Sequence, residues 1–128
     1  MSGHGAEPIA TRAVVEPFLE LFYGRRAIRQ AMETYVAVGY IQHNPGIADG
    51  REAAIDALQT LERPDLHLDI QRVLVDGPYA MVHLHAWRDG ERGGSVMDLY
   101  RVEDGLIVEH WDVIQQVPEQ AANPHPLF

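Results

Sequence analysis

The aspartate, histidine and tyrosine side chains that could transfer protons lie in two segments of this sequence. The first segment, YIQHNPGIADG, spans Tyr40–Gly50 and places a histidine and an asparagine directly before Pro45. The second segment, VMDLYRVEDGLIVEHWDV, contains Asp98 before an Asp-Gly turn and both His110 and Asp112 after it. Side chains of these types act as general acids and bases without forming a covalent intermediate. Proton transfer is therefore the first chemistry to consider.

The composition excludes the main covalent alternatives to proton transfer. The chain has 128 residues without a single cysteine, and all ten of its basic residues are arginine. Cysteine nucleophiles, zinc sites built on sulfur and lysine Schiff bases are thereby excluded. Serine occurs only at Ser2 and Ser95, and neither lies in a G-x-S-x-G turn. The side chains that remain in quantity are aspartate, glutamate, histidine and tyrosine, which transfer protons without covalent chemistry.

The charge of the chain restricts its partners. A formal net charge of -9 and scattered arginines argue against binding to nucleic acid or to anionic membrane surfaces. No run of residues approaches the ~20 apolar positions of a membrane span, and the first residues do not resemble a secretory signal. We expect a cytoplasmic protein with one domain, 1–128, in which residues 1–8 are flexible and 118–128 form an irregular tail.

Helical periodicity dominates the first half of the chain. Ile28, Met32, Tyr35 and Val36 recur on one stripe of an amphipathic helix. Further along, an aspartate followed three residues later by Glu52 resembles a capping box. We therefore predict three helices, from near Glu7 to Gly24, from Arg25 to Gly39, and from Asp49 to Pro64.

After Pro64 the hydrophobic period changes from that of a helix to that of a strand. Turn signals rich in Asp and Gly separate the alternating segments, which favours antiparallel pairing. The four predicted strands begin near Leu66, Tyr79, Ser95 and Leu106. Helices followed by a strand meander are typical of an α+β fold. We predict three N-terminal helices packed on a strongly curved antiparallel sheet.

The last hairpin decides which of the candidate side chains meet. If Glu103–Gly105 is a three-residue loop, Asp98 faces His110, and Asp112 lies on the same face. A two-residue loop shifts the pairing by one and moves Asp98 to the opposite face. Because a single glycine suits the longer loop, we expect all three side chains on the concave face.

Two further histidines lie on the preceding strand, where His83, His85 and Trp87 share a face. A four-residue turn at Asp89–Arg92 would place His83 across from Asp98 and these three residues in the pocket. The histidine pair also resembles the start of the cupin metal motif, but the next glutamate comes too late for its spacing. We predict no metal at this pair. A metal-dependent enzyme that uses it remains an alternative.

Three segments carry a family resemblance: YIQHNPGIADGREAAI, VMDLYRVEDGLIVEHWDV and QQVPEQAANPHPLF. In this order they resemble the SnoaL-like family, in its group of predicted aldol-condensation enzymes, over about Pro17 to Phe128. The resemblance implies the cone-shaped, cystatin-like α+β fold of the ketosteroid isomerase and nuclear transport factor 2 superfamily. In that fold a bent sheet and its helices enclose one deep pocket.

The resemblance also implies an active site that works without a cofactor, and it implies roles for individual residues. It implies an aspartate of the last strands as general acid and base, with Asp112 the best match and Asp98 the second. The YIQHNP stretch is similar to limonene epoxide hydrolase, which implies that Tyr40, His43 and Asn44 line the mouth of the cone. That hydrolase has an arginine two residues before its aspartate, whereas this chain has valine there. Proton transfer is therefore favoured over epoxide hydrolysis.

We therefore predict a cyclase or isomerase that removes a proton next to a carbonyl group of a small hydrophobic molecule. The predicted catalytic residues are Asp112, Asp98, His110 and His43, with Asp112 as the base. The predicted substrate contacts are Tyr40, Asn44, His83, His85, Trp87 and Tyr100. A non-catalytic ligand-binding or dimerisation module is the alternative. We also expect a homodimer built on the outer face of the sheet, where Met97, Leu99, Trp111 and Val113 lie.

Overall fold

The computed structural model describes residues 7–128, so most of the end predicted to be flexible lies outside the described part of the chain. The described residues form three α-helices, one π-helical turn and five strands. In chain order they are α1 (Pro8–Leu19), the π turn (Glu20–Gly24), α2 (Ile28–Tyr35), β1 (Val36–Gln42), α3 (Arg51–Leu61), β2 (Leu66–Asp76), β3 (Tyr79–Arg88), β4 (Gly94–Glu103) and β5 (Leu106–Gln116).

The helices agree with the sequence pattern in number and differ at their ends. The first helix begins at Pro8, where the fixed φ of proline suits the first helical turn, and it continues into the π turn up to Gly24. The predicted capping box at the start of α3 is wrong. Gly50 is the N-cap there, and the Asp49 carboxylate instead accepts a hydrogen bond of 2.8 Å from the backbone N–H of Gln42.

The second helix ends four residues earlier than predicted, and a fifth strand takes its place. Val36 fits the helical stripe, but the VAVGYI segment that it opens is rich in β-branched residues, which favour strands. The new strand β1 pairs in parallel with β5. The sheet is therefore mixed rather than fully antiparallel, with strand order β1-β5-β4-β3-β2.

The hairpin between β4 and β5 places the candidate side chains on the predicted face, but its loop and its pairing differ from the prediction. Its loop has two residues, Asp104 and Gly105, both with positive φ as in a type I′ turn. A bulge then inserts Val108, so that Asp98 pairs with Asp112 rather than with His110. The loop length and the direct partner were predicted wrongly. Because the bulge adds one residue to β5, the side chains of Asp98, His110 and Asp112 all lie on the concave face, as predicted.

The hairpin between β3 and β4 is one residue longer than predicted, and this reverses the faces of β3. His83 pairs with Met97, while Val82 pairs with Asp98. The concave face of β3 therefore carries Val82 and Leu84, both buried. His83, His85 and Trp87 lie on the outer face, so their predicted place in the pocket is wrong.

The helices cover the concave face of the sheet. Phe18 of α1, Met32 of α2 and Ile55 of α3 are almost fully buried, and they join one core cluster with Val82 and Ile107 of the sheet. Burial of side chains of this size contributes roughly 1.5–3 kcal/mol each. This packing leaves a cavity between the helices and the strands.

The tail crosses the outer face of the sheet. Residues 118–128 contain neither helix nor strand, as predicted. The Ser95 hydroxyl donates a hydrogen bond of 3.0 Å to the Leu127 carbonyl, and the Phe128 ring stacks on His85 with centroids 4.1 Å apart. The tail thus covers part of β3 and β4. Among the described residues, no helix is long and apolar enough to span a membrane.

Gly93 offers a test of the β3–β4 connection. Its φ is +72°, and an added Cβ would lie 2.0 Å from the Ala86 carbonyl oxygen. We expect Gly93→Ala to destabilise the fold by well over the ~1–3 kcal/mol of backbone strain alone. Gly77→Ala is the control, because Gly77 also has positive φ (+56°) but open space around it. Urea unfolding of both variants checks this, and equal losses would contradict the close contact.

Candidate active site

The cavity between the helices and the sheet has a narrow polar end and a wider apolar part. The narrow end has a volume of about 80 Å³ and is lined by polar groups of β1, β4 and β5 together with Phe18, Phe22 and Met32. The wider part has about 310 Å³ and is lined mainly by aliphatic side chains of the helices and strands. Asp98 and Asp112 line both parts. A ligand in the wider part would therefore contact both carboxylates.

Asp98 is the most strongly held group of the site. It is only 8% exposed, and both of its carboxylate oxygens have partners. The Tyr23 hydroxyl donates a hydrogen bond of 2.7 Å to Oδ2, and His110 Nε2 lies 2.8 Å from Oδ1. Since Tyr23 has one proton and donates it to Asp98, the hydroxyl of Tyr100 must donate to that of Tyr23. A chain of two tyrosines thus ends on Asp98.

Gln42 fixes the proton positions on the His110 ring. Its Oε1 accepts a hydrogen bond of 3.0 Å from the backbone N–H of Asn44, which identifies this atom as the amide oxygen. The same oxygen lies 2.8 Å from Nδ1 of His110, so Nδ1 must be the donor. The other ring nitrogen, Nε2, faces the Asp98 carboxylate. One proton therefore bridges His110 and Asp98, whichever of them carries it.

Asp112 is held from one side only. The Asn44 side-chain amide contacts both carboxylate oxygens, at 3.0 and 2.8 Å. The side-chain oxygen of Asn44, Oδ1, accepts a hydrogen bond of 2.8 Å from the Gly46 N–H, which fixes the orientation of the side-chain amide. The remaining neighbour is His110, whose Nε2 lies 4.0 Å from Oδ2. Asp112 is largely buried, and lone pairs not used by Asn44 face the cavity.

Tyr40 completes the polar end. It is 3% exposed, it lines the narrow cavity beside both aspartates, and its hydroxyl has no hydrogen-bond partner within residues 7–128. Burial, then the charges of Asp98 and Asp112, raises the pKa of Tyr40 well above 10.0. Burial and the Asp98 charge raise the pKa of Tyr23 and Tyr100 in the same way. All three hydroxyls therefore stay protonated and can donate.

Two arginines at the cavity mouth each form an ion pair with a neighbouring carboxylate. Arg26 Nη2 lies 2.6 Å from Glu62, and Arg88 Nη1 lies 3.1 Å from Asp65. Arg26 adopts a positive φ of 60°, which is unusual for a residue with a side chain. With both cations paired and two carboxylates inside, the cavity offers little attraction to an anion.

The structure brings together six of the predicted site residues and excludes four. Asp98, His110, Asp112, Tyr40 and Asn44 meet at the polar end, and Tyr100 lies beside them. The four excluded residues lie outside the cavity: His43, His83, His85 and Trp87.

Each excluded histidine has a structural partner on the outer face. His43 bonds the Glu109 carboxylate at 2.7 Å and stacks on Trp111. His83 accepts a hydrogen bond from Arg72 and donates one to Ser95. The predictions that His43 and His83 belong to the site are therefore wrong. Residues that alternate along a strand point to opposite faces, and the error of one residue in the β3–β4 register misplaced His83 and His85. His43 was misplaced because the strand that precedes it, β1, was not predicted.

Two residues of the site were missed by sequence reasoning. Tyr23 was treated as the end of an apolar helix, although its hydroxyl requires a partner when buried. The π turn carries it inward, as π-helical turns often do at functional sites. Gln42 lies two residues after Tyr40 and two before Asn44. Once this segment is assigned to a strand, that period of two indicates a shared face.

The comparisons with known proteins agree with this architecture. Residues 12–110 match the SnoaL-like domain model, and the chain belongs to that family. The fold, with helices on a five-stranded mixed sheet, is NTF2-like. No curated protein matches the sequence.

Solved structures with this fold carry names of several activities. A protein from Kribbella flavida with a provisional ketosteroid isomerase name superposes with a TM-score of 0.75 at 24% identity, over 96% of this chain and 90% of that one. A limonene epoxide hydrolase-like enzyme from M. tuberculosis gives 0.63 at 16% identity, over 84% of each chain. TsrD from Streptomyces laurentii gives 0.65 at 22% identity, over 80% and 89%. At these identities the likeness shows the fold alone.

The buried tyrosines predict how stability depends on alkaline pH. A raised folded-state pKa means that the unfolded chain loses its tyrosine protons first, so stability falls as pH rises above about 10. Tyr40→Phe removes one such proton and should make this decline shallower by about 1.4 kcal/mol per pH unit. Its effect at neutral pH should be small, since the hydroxyl has no partner.

Urea unfolding at several pH values between neutral and about pH 11 measures this slope. Tyr79→Phe, which removes a hydroxyl on the outer face, is the control variant. Identical alkaline slopes for the wild type and Tyr40→Phe would show that Tyr40 ionises equally in both states.

Proposed function

We propose that this protein is a cofactor-free enzyme that transfers a proton at a carbon next to the carbonyl group of a small neutral molecule. The observation that carries this proposal is the position of Asp112. Its carboxylate is largely buried at the junction of the polar and apolar parts of the cavity, with lone pairs turned toward the ligand space. A desolvated carboxylate in such a place is suited to act as a general base.

In the proposed step, Asp112 removes the proton from the carbon. The C–H bond breaks, the proton moves to an oxygen of Asp112, and the electron pair forms an enolate. The Asn44 amide holds the carboxylate in position through both of its oxygens. Return of the proton at another carbon completes an isomerisation. In an aldol-type cyclisation the enolate carbon instead bonds to a second carbonyl carbon, the π bond of that carbonyl breaks, and its oxygen takes the proton from Asp112.

The developing negative charge on the enolate oxygen requires a donor. The Tyr40 hydroxyl meets this requirement, since it is protonated, buried and free of other partners among the described residues. A fixed donor in a site shielded from water stabilises such an oxyanion more than it would in water. The proton between His110 and Asp98 lies next to Asp112 and can serve as the relay.

The walls of the cavity define the class of substrate. The wider part is lined by leucine, isoleucine, valine and phenylalanine side chains, and its volume of about 310 Å³ lies at the lower end of ligand pockets. The arginines at the mouth are paired with carboxylates. A compact, neutral, mainly aliphatic carbonyl compound fits these walls better than an anion does.

Asp112→Asn tests the role of the base. Asparagine keeps the shape but accepts no proton, so the rate should fall by about 100-fold or more. Because Asp112 is held by a single amide, the free energy of unfolding should change by less than about 1 kcal/mol. The rate is measured by NMR as exchange of α-hydrogens for deuterium in a panel of small neutral ketones in D2O. Thermal unfolding of the same sample gives the stability.

Two control variants separate catalysis from structure. Asp76→Asn changes an exposed aspartate at the end of β2 and should alter neither quantity. Asp98→Asn should lower stability by about 1–3 kcal/mol, because Tyr23 and His110 both lose a charged acceptor. Normal exchange in Asp112→Asn together with a marked loss of stability would make Asp112 structural and refute the proposal.

A non-catalytic ligand-binding module is the second candidate, and the complete pairing of Asp98 favours it. A fully satisfied buried polar network stabilises a pocket without any reaction. Under this alternative, ketones of the panel bind to the cavity, as seen by chemical-shift changes, while no α-hydrogen exchanges. The Asp112→Asn variant would then bind them with unchanged rates of background exchange.

We also propose that the chain forms a homodimer through the outer face of the sheet. Met97 and Val113 are 44% and 72% exposed there, beside the half-buried Leu99 and Trp111. Apolar side chains grouped on a surface mark interaction sites. Light scattering at micromolar concentration should give the mass of two chains, and Val113→Glu should give the mass of one. A monomeric wild type would contradict the proposal.

A further inference from the structure

Three acceptor atoms converge at the polar end of the cavity. One carboxylate oxygen of Asp98, one of Asp112 and a ring nitrogen of His110 lie within 4.8 Å of one another. Within residues 7–128 this is the only group of three such side chains. His83 and His85, the histidine pair considered from the sequence, are not part of it.

Gln42 prepares the His110 ring for this arrangement. By holding Nδ1–H, it leaves the neutral ring with its Nε2 lone pair directed between the two carboxylates. Histidines that bind metals in proteins usually donate their other N–H to a carbonyl or carboxylate in this way. The Gln42 amide is itself fixed by Asn44, so the ring cannot easily exchange its donor and acceptor atoms.

Tyr40 points to a ligand at the same place. Tyr40 is only 3% exposed, and it lines the narrow cavity. Its hydroxyl has no hydrogen-bond partner among residues 7–128. A buried hydroxyl normally has a hydrogen-bond partner. A water molecule bound to an ion between the aspartates would supply one.

We propose that Asp98, His110 and Asp112 form a binding site for a divalent metal ion of the zinc class. Two carboxylate oxygens and one imidazole nitrogen form a three-ligand set with an open fourth position for water, next to Tyr40. At bond lengths of about 2.0–2.2 Å, tetrahedral ligand atoms lie about 3.4 Å from one another. His110 Nε2 must therefore move away from Asp98 Oδ1, which lies 2.8 Å from it, while the 4.0 Å between Nε2 and Asp112 Oδ2 must shorten. The metal takes the place of the proton that bridges His110 and Asp98.

The ion would also regulate the site, a consequence that rests on the proposed function. A metal-bound carboxylate is a weaker base, because the ion withdraws its negative charge, and the ion also occupies the polar end of the cavity. Zinc should therefore inhibit the exchange of ketone hydrogens. Binding itself does not depend on that function. A failure of the proposed reaction therefore leaves the metal site testable by calorimetry alone.

Isothermal titration of the full chain with Zn²⁺ tests the proposal. The wild type should bind one ion per chain. Gln42→Leu removes the partner of His110 Nδ1 and should weaken zinc binding by about 10- to 100-fold. Asp112→Asn removes a ligand and should weaken zinc binding by more than that. Gln42→Glu, which keeps an acceptor for Nδ1, should restore binding. Circular dichroism confirms that each variant is folded.

His67→Gln is the matched control, because His67 and Asp89 form an exposed histidine–carboxylate contact of 2.6 Å that can also attract zinc. This variant should bind like the wild type. Loss of binding in His67→Gln would assign the ion to the surface and overturn the proposal. No binding by the wild type, or equal binding by wild type and Asp112→Asn, would overturn it as well.

Discussion

The burial of two facing carboxylates is the constraint on which the arrangement of this protein depends. Asp98 and Asp112 are direct partners on neighbouring strands, on the covered face of the sheet. Like charges opposite each other destabilise a sheet, and buried carboxylates also require hydrogen-bond donors. The fold must therefore supply donors to them from other elements.

Each neighbouring element contributes one of these donors. The π turn brings Tyr23 to Asp98, the loop after β1 brings Asn44 to Asp112, and β5 places His110 between the two. Gln42 of β1 then determines which nitrogen of His110 donates. The two carboxylates therefore differ in their hydrogen bonding. Both oxygens of Asp98 are bonded within the protein, whereas Asp112 keeps lone pairs that face the cavity and can react with a ligand.

The two faces of the sheet use histidine in opposite ways. On the outer face, His83 lies between Arg72 and Ser95, and His85 stacks under Phe128 of the tail. These contacts fix the tail and leave the rings no place in the cavity. On the concave face, His110 meets two carboxylates beside a ligand space. The same residue type is structural or chemical according to which side of one strand it occupies.

The sequence by itself determined the α+β class, four of the five strands and the family, and it predicted the group of Asp98, His110, Asp112, Tyr40 and Asn44. These follow from local periodicity, turn residues and motif order, all of which are properties of neighbouring positions. The shared face of Asp98 and Asp112 was also predicted, although two register errors compensated there through the bulge at Val108.

Only the tertiary structure decided the rest. It showed that VAVGYI is a strand, because pairing with β5 outweighs the helical stripe that Val36 continues. It placed His83, His85 and Trp87 outside the cavity, since a shift of one residue in a hairpin reverses the face of every side chain beyond it. His43 lies outside as well, because side chains alternate along β1 and its extension, and His43 points away from the face of Tyr40 and Gln42. The tertiary structure also joined Tyr23 to Asp98, 75 residues apart in the chain. Local patterns contain no information on such long-range contacts, which depend on how the helices pack over the sheet.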